Sequence, residues 1–472
     1  MKVHFIGIGG IGVSALAQYY SQKGNEVSGS DLVASEMTDF LKNGGVKIFI
    51  NHFAENISKD TDLVIYSPAV TKDNPEYKKA KELGIKLQSY PEALGELTKK
   101  YYTIAVAGAH GKSTVTAMIG LILAKAGLDP TVIVGTKLRE FGDSNFRAGR
   151  GKHLVIEACE YDGSFLNYQP NIIVVTNVDR EHMDYFKTFS NVKKTFKNFV
   201  LKLPQDGFLV ANRDDPNSNF KLVSNSIELD TKKSEAIFKV KNYSLKQKEA
   251  EKIRKILKIP GQHNISNALA ALSVARILNI NDKVSLKSLS EYQGSWRRFE
   301  IKIAELRGIS RGKTRKITIV SDYGHHPNEV SATLKAAREK YQNIPSSRAN
   351  RSSRAKLTTR QWHTTGQRKI WLIFQPHQYQ RTHYLFKDFV KLFRKVPIDH
   401  IIITDIYDVA GREEKKISSS VSSENLVEKI RKKNVSYMTV GQAEKFVEKN
   451  IKSGEVLIIM GAGDVYKLAD KF

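Results

Sequence analysis

Residues 105–114 read Ala-Val-Ala-Gly-Ala-His-Gly-Lys-Ser-Thr and lie between an apolar, strand-like run at 103–107 and a helical run at 114–126. A glycine-rich turn between a strand and a helix restricts the fold to an αβ sheet whose loop opens at the strand's carboxyl end. Backbone N–H groups of such a loop face one concavity, the helix presents its positive end, and Lys112 adds a full cation. Ser113 offers a hydroxyl oxygen to Mg²⁺. The general phosphate-loop pattern asks for glycine where this chain has Val106; Gly108 takes the tight turn two residues later, so Gly-x-His-Gly-Lys is a narrower signature. We read Gly108, Ala109, His110, Gly111, Lys112, Ser113 and Thr114 as an ATP site.

A chain of 472 residues is too long for one hydrophobic core and suggests about three domains at roughly 150 residues each. No apolar run approaches the roughly 20 residues that span a bilayer, and residues 3–8 form a strand without a signal peptide's charged start and cleavage site. The expected location is cytoplasmic, with no membrane partner. The single cysteine, Cys159, excludes an internal disulfide and a cysteine-based zinc site. The net charge of +26 favours anionic partners. Much of it is local: 346–369 carries Arg348, Arg351, Arg354, Lys356, Arg360, Arg368 and Lys369 with no acid, and 307–316 is a second basic stretch. Both lack apolar periodicity and read as solvated insertions. The other reading is a nucleic-acid arm, against which stands the near absence of stacking aromatics apart from Trp362.

Residues 1–98 alternate short apolar strands (3–8, 26–29, 47–50, 63–66) with polar-faced helical segments, the pattern of an open parallel sheet. Gly7-Ile8-Gly9-Gly10-Ile11-Gly12 follows the first strand and Asp31 ends the second, a dinucleotide-type fingerprint that serves NAD or another nucleoside diphosphate. Ser67, after the fourth strand, either adds a hydroxyl to that groove or makes a plain turn. From 99 to 294 a second αβ pattern contains the phosphate loop and strands at 153–156, 171–175 and 207–211. Glu157, Glu160, Asp162, Asp179, His182 and Asp184 fall just past these strands, on one rim with Ser113. Hard oxygen ligands suit Mg²⁺, so Ser113 and Glu157 are metal candidates; His182 is either a further ligand or a hydrogen-bonded structural histidine. A third αβ unit, 295–472, has strands at 317–320, 370–374, 400–404 and 456–460. Polar loops follow them, among them Asp322-Tyr323-Gly324-His325-His326-Pro327 and Gln375-Pro376-His377-Gln378-Tyr379-Gln380-Arg381. Adjacent histidines point apart, so His325 and His326 suit substrate hydrogen bonding better than shared chelation.

In this order the segments resemble the Mur ligase family. The resemblance rests on Gly7 to Ala15, Gly108 to Thr114, Glu157 to Phe165, Asn177 to Asp184, Gly261 to Ala271, Arg297-Arg298-Phe299, Asp322 to Pro327 and Pro376 to Thr382, and covers nearly the whole chain outside the two basic stretches. It implies three α/β domains, each on a mostly parallel open sheet: a Rossmann-like domain (1–98) for the UDP end of the substrate, a central P-loop ATPase domain (99–294), and a Rossmann-like closing domain (295–472). The implied activity is an ATP- and Mg²⁺-dependent ligation of L-alanine to the lactyl carboxylate of UDP-N-acetylmuramate, in peptidoglycan precursor synthesis, by a monomer or homodimer.

By the same resemblance Lys112 contacts ATP phosphates, Ser113, Glu157 and His182 serve the metal, Asn264 meets adenine, and Arg298 and Asp322 reach ATP. Lys112, Glu157, His182 and Arg298 form the implied catalytic set. Gly7, Gly9, Gly10, Ile11, Gly12, Asp31 and Ser67 hold the UDP end; Tyr323, His325, His326 and Arg381 address the muramoyl and amino-acid ends. Four positions depart from the family pattern: Ser113 for a Thr, which keeps the hydroxyl, Cys159 for an Asp, Ser321 for a second Asp before Asp322, and Gln378 for an Arg that would grip a carboxylate more firmly. Three other activities remain open from the sequence: a sister ligase that attaches a recycled tripeptide, a nucleic-acid-stimulated P-loop ATPase, and an NAD-dependent dehydrogenase, which rests on Gly7 to Gly12 with Asp31 alone and leaves the second nucleotide loop without a use.

Overall fold

The computed structural model describes residues 1–218, 222–223, 226–227, 238–307, 314–341, 368–408 and 419–472. The expected basic stretch at 346–369 therefore lies almost wholly outside the described residues. Two compact units form: Met1–Leu257 with Ile265–Ser295, and Lys258–Asn264 with Trp296–Phe472. The first unit carries two large sheets and the second carries one, and all three are mostly parallel. Among the described residues no helix is long and apolar enough to cross a membrane.

The first sheet comprises β1 (Lys2–Ile6), β2 (Glu26–Asp31), β3 (Lys47–Ile50), β4 (Leu63–Tyr66) and β5 (Lys86–Ser89), all parallel, in the order β3-β2-β1-β4-β5. Because the chain runs outward from β1 to β3 and then returns to β4 beside β1, the order reverses there. The loops leaving β1 and β4 flank the resulting crevice. Four of these strands match the sequence expectation; β5, Lys-Leu-Gln-Ser, has one apolar residue and gives no pattern to find.

The second sheet contains β6 (Tyr102–Ala107), β7 (Thr131–Leu138), β8 (Ser144–Arg147), β9 (His153–Glu157), β10 (Ile172–Val175) and β11 (Phe208–Asn212). After a two-stranded ribbon, β12 (Leu222–Val223) with β13 (Ser226–Ile227), the chain adds β14 (Lys239–Tyr243). The order is β14-β11-β10-β6-β9-β7-β8. β6 therefore lies between β9 and β10, and the loops leaving these three strands share one edge of the sheet. Strands β6, β9 and β10 are buried almost end to end, as parallel strands covered on both faces must be. One apolar cluster runs through both sheets, from Val3, Phe5 and Leu16 to Ile156, Phe165 and Phe199, with Phe165 stacked on Phe199 at 4.2 Å between ring centroids.

The third sheet, in the second unit, is built from β15 (Glu300–Arg307), β16 (Thr314–Asp322), β17 (Ile370–Phe374), β18 (His400–Ile403), β19 (Val435–Tyr437) and β20 (Val456–Met460), in the order β15-β16-β20-β17-β18-β19. Separate apolar clusters cover its two faces. The expectation of a solvated insertion at 307–316 needs correcting at its ends. Arg307 pairs with Thr314 and Leu306 with Arg315 across an antiparallel β15–β16 ladder, and the Arg315 guanidinium donates to the Ile451 carbonyl at 2.7 Å. Charge hid these residues because at this end of the hairpin exposed positions alternate with partly buried ones.

Candidate active site

The phosphate loop is held by the neighbouring strand end. Asn177, just past β10, accepts from Ala109 N through its carbonyl (3.1 Å) and from His110 N through Oδ1 (2.9 Å), and its Nδ2 donates back to the His110 carbonyl (3.0 Å). Thr176 Oγ1 also donates to that carbonyl, at 2.6 Å. Gly108 has φ +140°, and a Cβ there would lie 2.0 Å from Thr176 Oγ1, so no other residue fits. The helix Lys112–Lys125 starts at Gly111 and presents Lys112, Ser113 and Thr114 in its first turn.

Lys112 is largely buried, and its Nζ donates to the carbonyls of Gly108 (2.6 Å) and Ala109 (3.2 Å) and to Glu160 Oε2 (3.0 Å). Burial alone would favour the neutral amine, but the charge of Glu160, with Glu157 behind it, holds the Lys112 pKa above its ordinary value. Glu160 is buried and reaches His182 Nε2 at 4.0 Å. His182 has φ +54° at the start of the helix Met183–Phe186 and lies 4.9 Å from the Tyr161 ring. Glu157 ends β9 and accepts from Gly135 N at 2.9 Å. Glu160 is taken up by Lys112, whereas Ser113, Glu157 and His182 offer two hard oxygens and one nitrogen, donor chemistry of the kind Mg²⁺ takes. Cys159, where the family pattern has Asp, is pushed up to about 12 by burial and then by Glu160, so its thiol stays protonated and adds no ligand charge.

Of the remaining rim residues, Asp179 faces His110 at 3.4 Å and Asp184 lies in the first turn of Met183–Phe186. Sequence reasoning placed Glu160 on the rim without its pairing to Lys112. It missed the clamp formed by Thr176 and Asn177, although Asn177 opens the Asn-Val-Asp string. Nothing in the sequence marked Asn267, whose Oδ1 packs against the Gly111 turn.

In the first sheet the Ser30 carbonyl receives Gly7 N (2.8 Å) and Ile8 N (2.9 Å). Asp31 accepts from Gly9 N and from Leu32 N, each at 2.8 Å. The acid therefore braces the loop as well as ending β2. Gly10 precedes the helix Ile11–Gln22, and Ser67 Oγ accepts from Ala69 N at 3.3 Å in a serine turn beside Gly7.

Asn264, Arg298, Asp322, Tyr323, His325, His326 and Arg381 belong to the second unit. Asp322 is buried and accepts from Phe299 N and Gly324 N, each at 2.9 Å, while burial raises its pKa. Arg298 is 3.7 Å from Glu329 and 5.0 Å from the Tyr323 ring centroid. The expectation that the adjacent histidines diverge is met within this unit: His325 Nδ1 sits 3.2 Å from the Tyr323 carbonyl, whereas the buried His326 accepts from Asn328 N at 3.3 Å through its Nδ1. Arg381 contacts His377 at 3.0 Å, His377 stacks on Tyr407, and Asn264 donates to the Pro260 carbonyl at 2.7 Å. Arg297, unassigned from sequence, is buried against the rings of Trp296, Tyr323 and Tyr466 and donates to the carbonyls of Gly461 and Gly463.

Comparison with known proteins follows the same division. Residues 2–102 match the family model described as Mur ligase family, catalytic domain, and residues 106–275 match the Mur ligase middle domain. The chain is 41% identical to a UDP-N-acetylmuramate–L-alanine ligase of Acetivibrio thermocellus, over 100% of this chain and 95% of that protein. It is 38% identical to the ligase of the same name from Caldanaerobacter subterraneus subsp. tengcongensis, over 100% and 97%. The crystal structure of the UDP-N-acetylmuramate-alanine ligase MurC of Thermotoga maritima superposes with a TM-score of 0.73 at 25% identity, over 100% of this chain and 98% of that one. With three α/β domains, two matched family regions and relatives sharing about two residues in five along its whole length, this chain belongs to the Mur ligase family.

Proposed function

We propose that this chain is an ATP-dependent ligase that joins L-alanine to the lactyl carboxylate of UDP-N-acetylmuramate. Full-length identity of 38–41% to ligases of that name supports the substrates. The observation that carries the chemistry is Lys112 in a clamped phosphate loop, paired with the buried Glu160, which in turn reaches His182.

A carboxylate and an amine do not condense near neutral pH, because oxide is a poor leaving group and proton transfer between them gives an unreactive salt. Transfer of the γ-phosphoryl group of ATP to the lactyl carboxylate makes an acyl phosphate and releases ADP. The alanine amine adds to the acyl carbon, and the tetrahedral intermediate expels phosphate as the amine proton is lost. The first step brings two anions together, which is repulsive unless cations neutralise them. Lys112 and the backbone N–H groups of 108–114 take the phosphates, and Arg298 is a second cation for the closing domain to supply. Ser113, Glu157 and His182 would hold Mg²⁺, which when bound supplies further charge neutralisation on the phosphate oxygens. The loop at Gly7 holds the diphosphate of the sugar nucleotide. Domain boundaries near 98 and 294 keep these duties on separate sheets, and closure of the last domain protects the acyl phosphate from water.

Phosphate release tests this reading, with ATP, Mg²⁺ and UDP-N-acetylmuramate and with alanine, serine, glycine or tripeptide as acceptor. Alanine should give the highest kcat/KM. No ATP consumption with any acceptor would sink the ligase reading, and preference for tripeptide would move the chain to the recycling branch. Lys112→Ala should abolish turnover while the chain still binds UDP-N-acetylmuramate.

A further inference from the structure

We infer that the Tyr90 phenol is a binding residue for the nucleotide-sugar substrate, donating a hydrogen bond to one of its oxyanions at the seam between the two phosphate loops. The inference rests on the ligase reading above and concerns a residue outside both loops.

Tyr90 opens the helix Tyr90–Thr98, whose start is fixed by a capping box: Ser89 Oγ accepts from Glu92 N (3.4 Å) and Glu92 Oε2 from Ser89 N (2.7 Å). On one side the phenol end of its ring packs against the start of the Ile11–Gln22 helix, where a Cβ on Gly12 would be 2.8 Å from both Cζ and Oη. Any side chain at position 12 would push the phenol away from the loop that receives the sugar nucleotide. On the other side the Tyr90–Thr98 helix is fastened to the segment following Glu157 and Glu160. A Cβ on Gly95 would be 2.6 Å from the Asn167 carbonyl oxygen, and Thr98 Oγ1 accepts from Gln169 N at 2.9 Å.

The Ile11–Gln22 helix is itself anchored to β8 of the second sheet. Asn145 donates to Ser14 Oγ (2.9 Å) and to the Ile11 carbonyl, and Gln18 donates to Asn145 Oδ1 (2.8 Å). The phenol is thus held from both sides before any ligand arrives, which lowers the ordering cost of binding. Burial first, then the charge of Glu157, drives its pKa well above the ordinary tyrosine value. It remains a neutral donor throughout the working pH range. The sugar nucleotide must run from a diphosphate at Gly7–Gly12 to a carboxylate at the Lys112–Glu157 loop, and it carries oxyanions at both ends of that path.

Tyr90→Phe keeps the ring packed on Gly12 and removes only the donor. Calorimetric titration of the full-length protein should give about tenfold weaker binding of UDP-N-acetylmuramate, the loss of one hydrogen bond to a charged oxygen, with ADP affinity unchanged. Equal weakening of UDP-N-acetylglucosamine, which lacks the lactyl group, identifies the acceptor as the diphosphate. Weakening of the acid alone identifies the carboxylate; either result supports the assignment. If Tyr90→Phe binds both sugar nucleotides within twofold of wild type, the assignment is overturned and the ligase reading stands. A wild-type chain that binds neither overturns both.

Discussion

Lys112 Nζ and Glu160 Oε2 lie 3.0 Å apart, with the carboxylate side chain 1% exposed and the lysine 13%. Neither charge has enough water to survive alone, so each is the condition for burying the other. A double-mutant cycle measures this dependence. Lys112→Met and Glu160→Gln should each destabilise the first unit by about 3 kcal/mol in urea unfolding, because each strands a buried partner. The double variant should lose at least about 1 kcal/mol less than the sum. Additivity within about 0.5 kcal/mol would show that the pair is not coupled.

The clamp on the phosphate loop predicts a separable defect. Gly108→Ala places a methyl group against Thr176 Oγ1 in a backbone region closed to alanine. The loop must move, and its N–H groups no longer converge. ATP binding should weaken at least about 100-fold, as for loss of a preorganised oxyanion site, while UDP-N-acetylmuramate binding, measured by calorimetry, stays within about twofold. Parallel loss of both ligands would mean that the two loops are not independent.

Glu76 supplies a pH prediction. It is fully buried, with its carboxylate near His4 Nε2 (3.6 Å) and His52 Nδ1 (3.4 Å) and accepting from Ser30 Oγ and Asn56 Nδ2. Burial pushes its pKa up, but His4, Ser30 and Asn56 outweigh burial and hold it below the ordinary 4.5. A carboxylate whose folded value lies below its unfolded one adds stability that is complete above the unfolded value and disappears as pH falls through the folded one. Glu76→Gln should therefore cost about 2 kcal/mol at pH 7, with the gap to wild type closing below pH about 4.5. Urea midpoints at pH 7, 5 and 4 test it; a gap independent of pH would contradict the linkage.

Much of this was legible in the sequence because phosphate loops are local. Strand, glycines, Lys112 and Ser113 are contiguous, and one run of residues dictates the cradle. The parallel core strands β6, β9, β10, β17 and β20 were equally plain, each carrying an uninterrupted apolar run. The illegible parts depend on partners far along the chain. Thr176 and Asn177 clamp a loop more than sixty positions earlier, and Glu160 meets Lys112 only because β6 and β9 are neighbours. Edge strand β5 is at most partly buried and the 314–316 end of β16 alternates exposed with partly buried residues, so both read as loop, while β8 is buried through the polar residues Ser144 and Asn145 and gave no apolar run.

The Arg297-Arg298 pair shows how adjacent identical residues divide their duties, and it gives the last prediction. Arg297, 5% exposed, has its guanidinium 4.2 Å from the Tyr466 ring centroid and 4.9 Å from that of Tyr323, and it donates to the Gly463 carbonyl at 3.0 Å. A lysine there would offer a compact, strongly hydrated charge in place of a planar fork. Arg297→Lys should cost about 2–3 kcal/mol in urea unfolding, from the lost ring contacts and the carbonyls left unpaired. Arg298 is 27% exposed and 3.7 Å from Glu329, a pairing that contributes about 1 kcal/mol or less. Arg298→Ala should leave the urea midpoint nearly unchanged and lower kcat by about 10²- to 10³-fold, the usual cost of removing a cation from an anionic transition state. If Arg298→Ala instead unfolds the chain and Arg297→Lys leaves stability untouched, the duties of the two arginines are reversed.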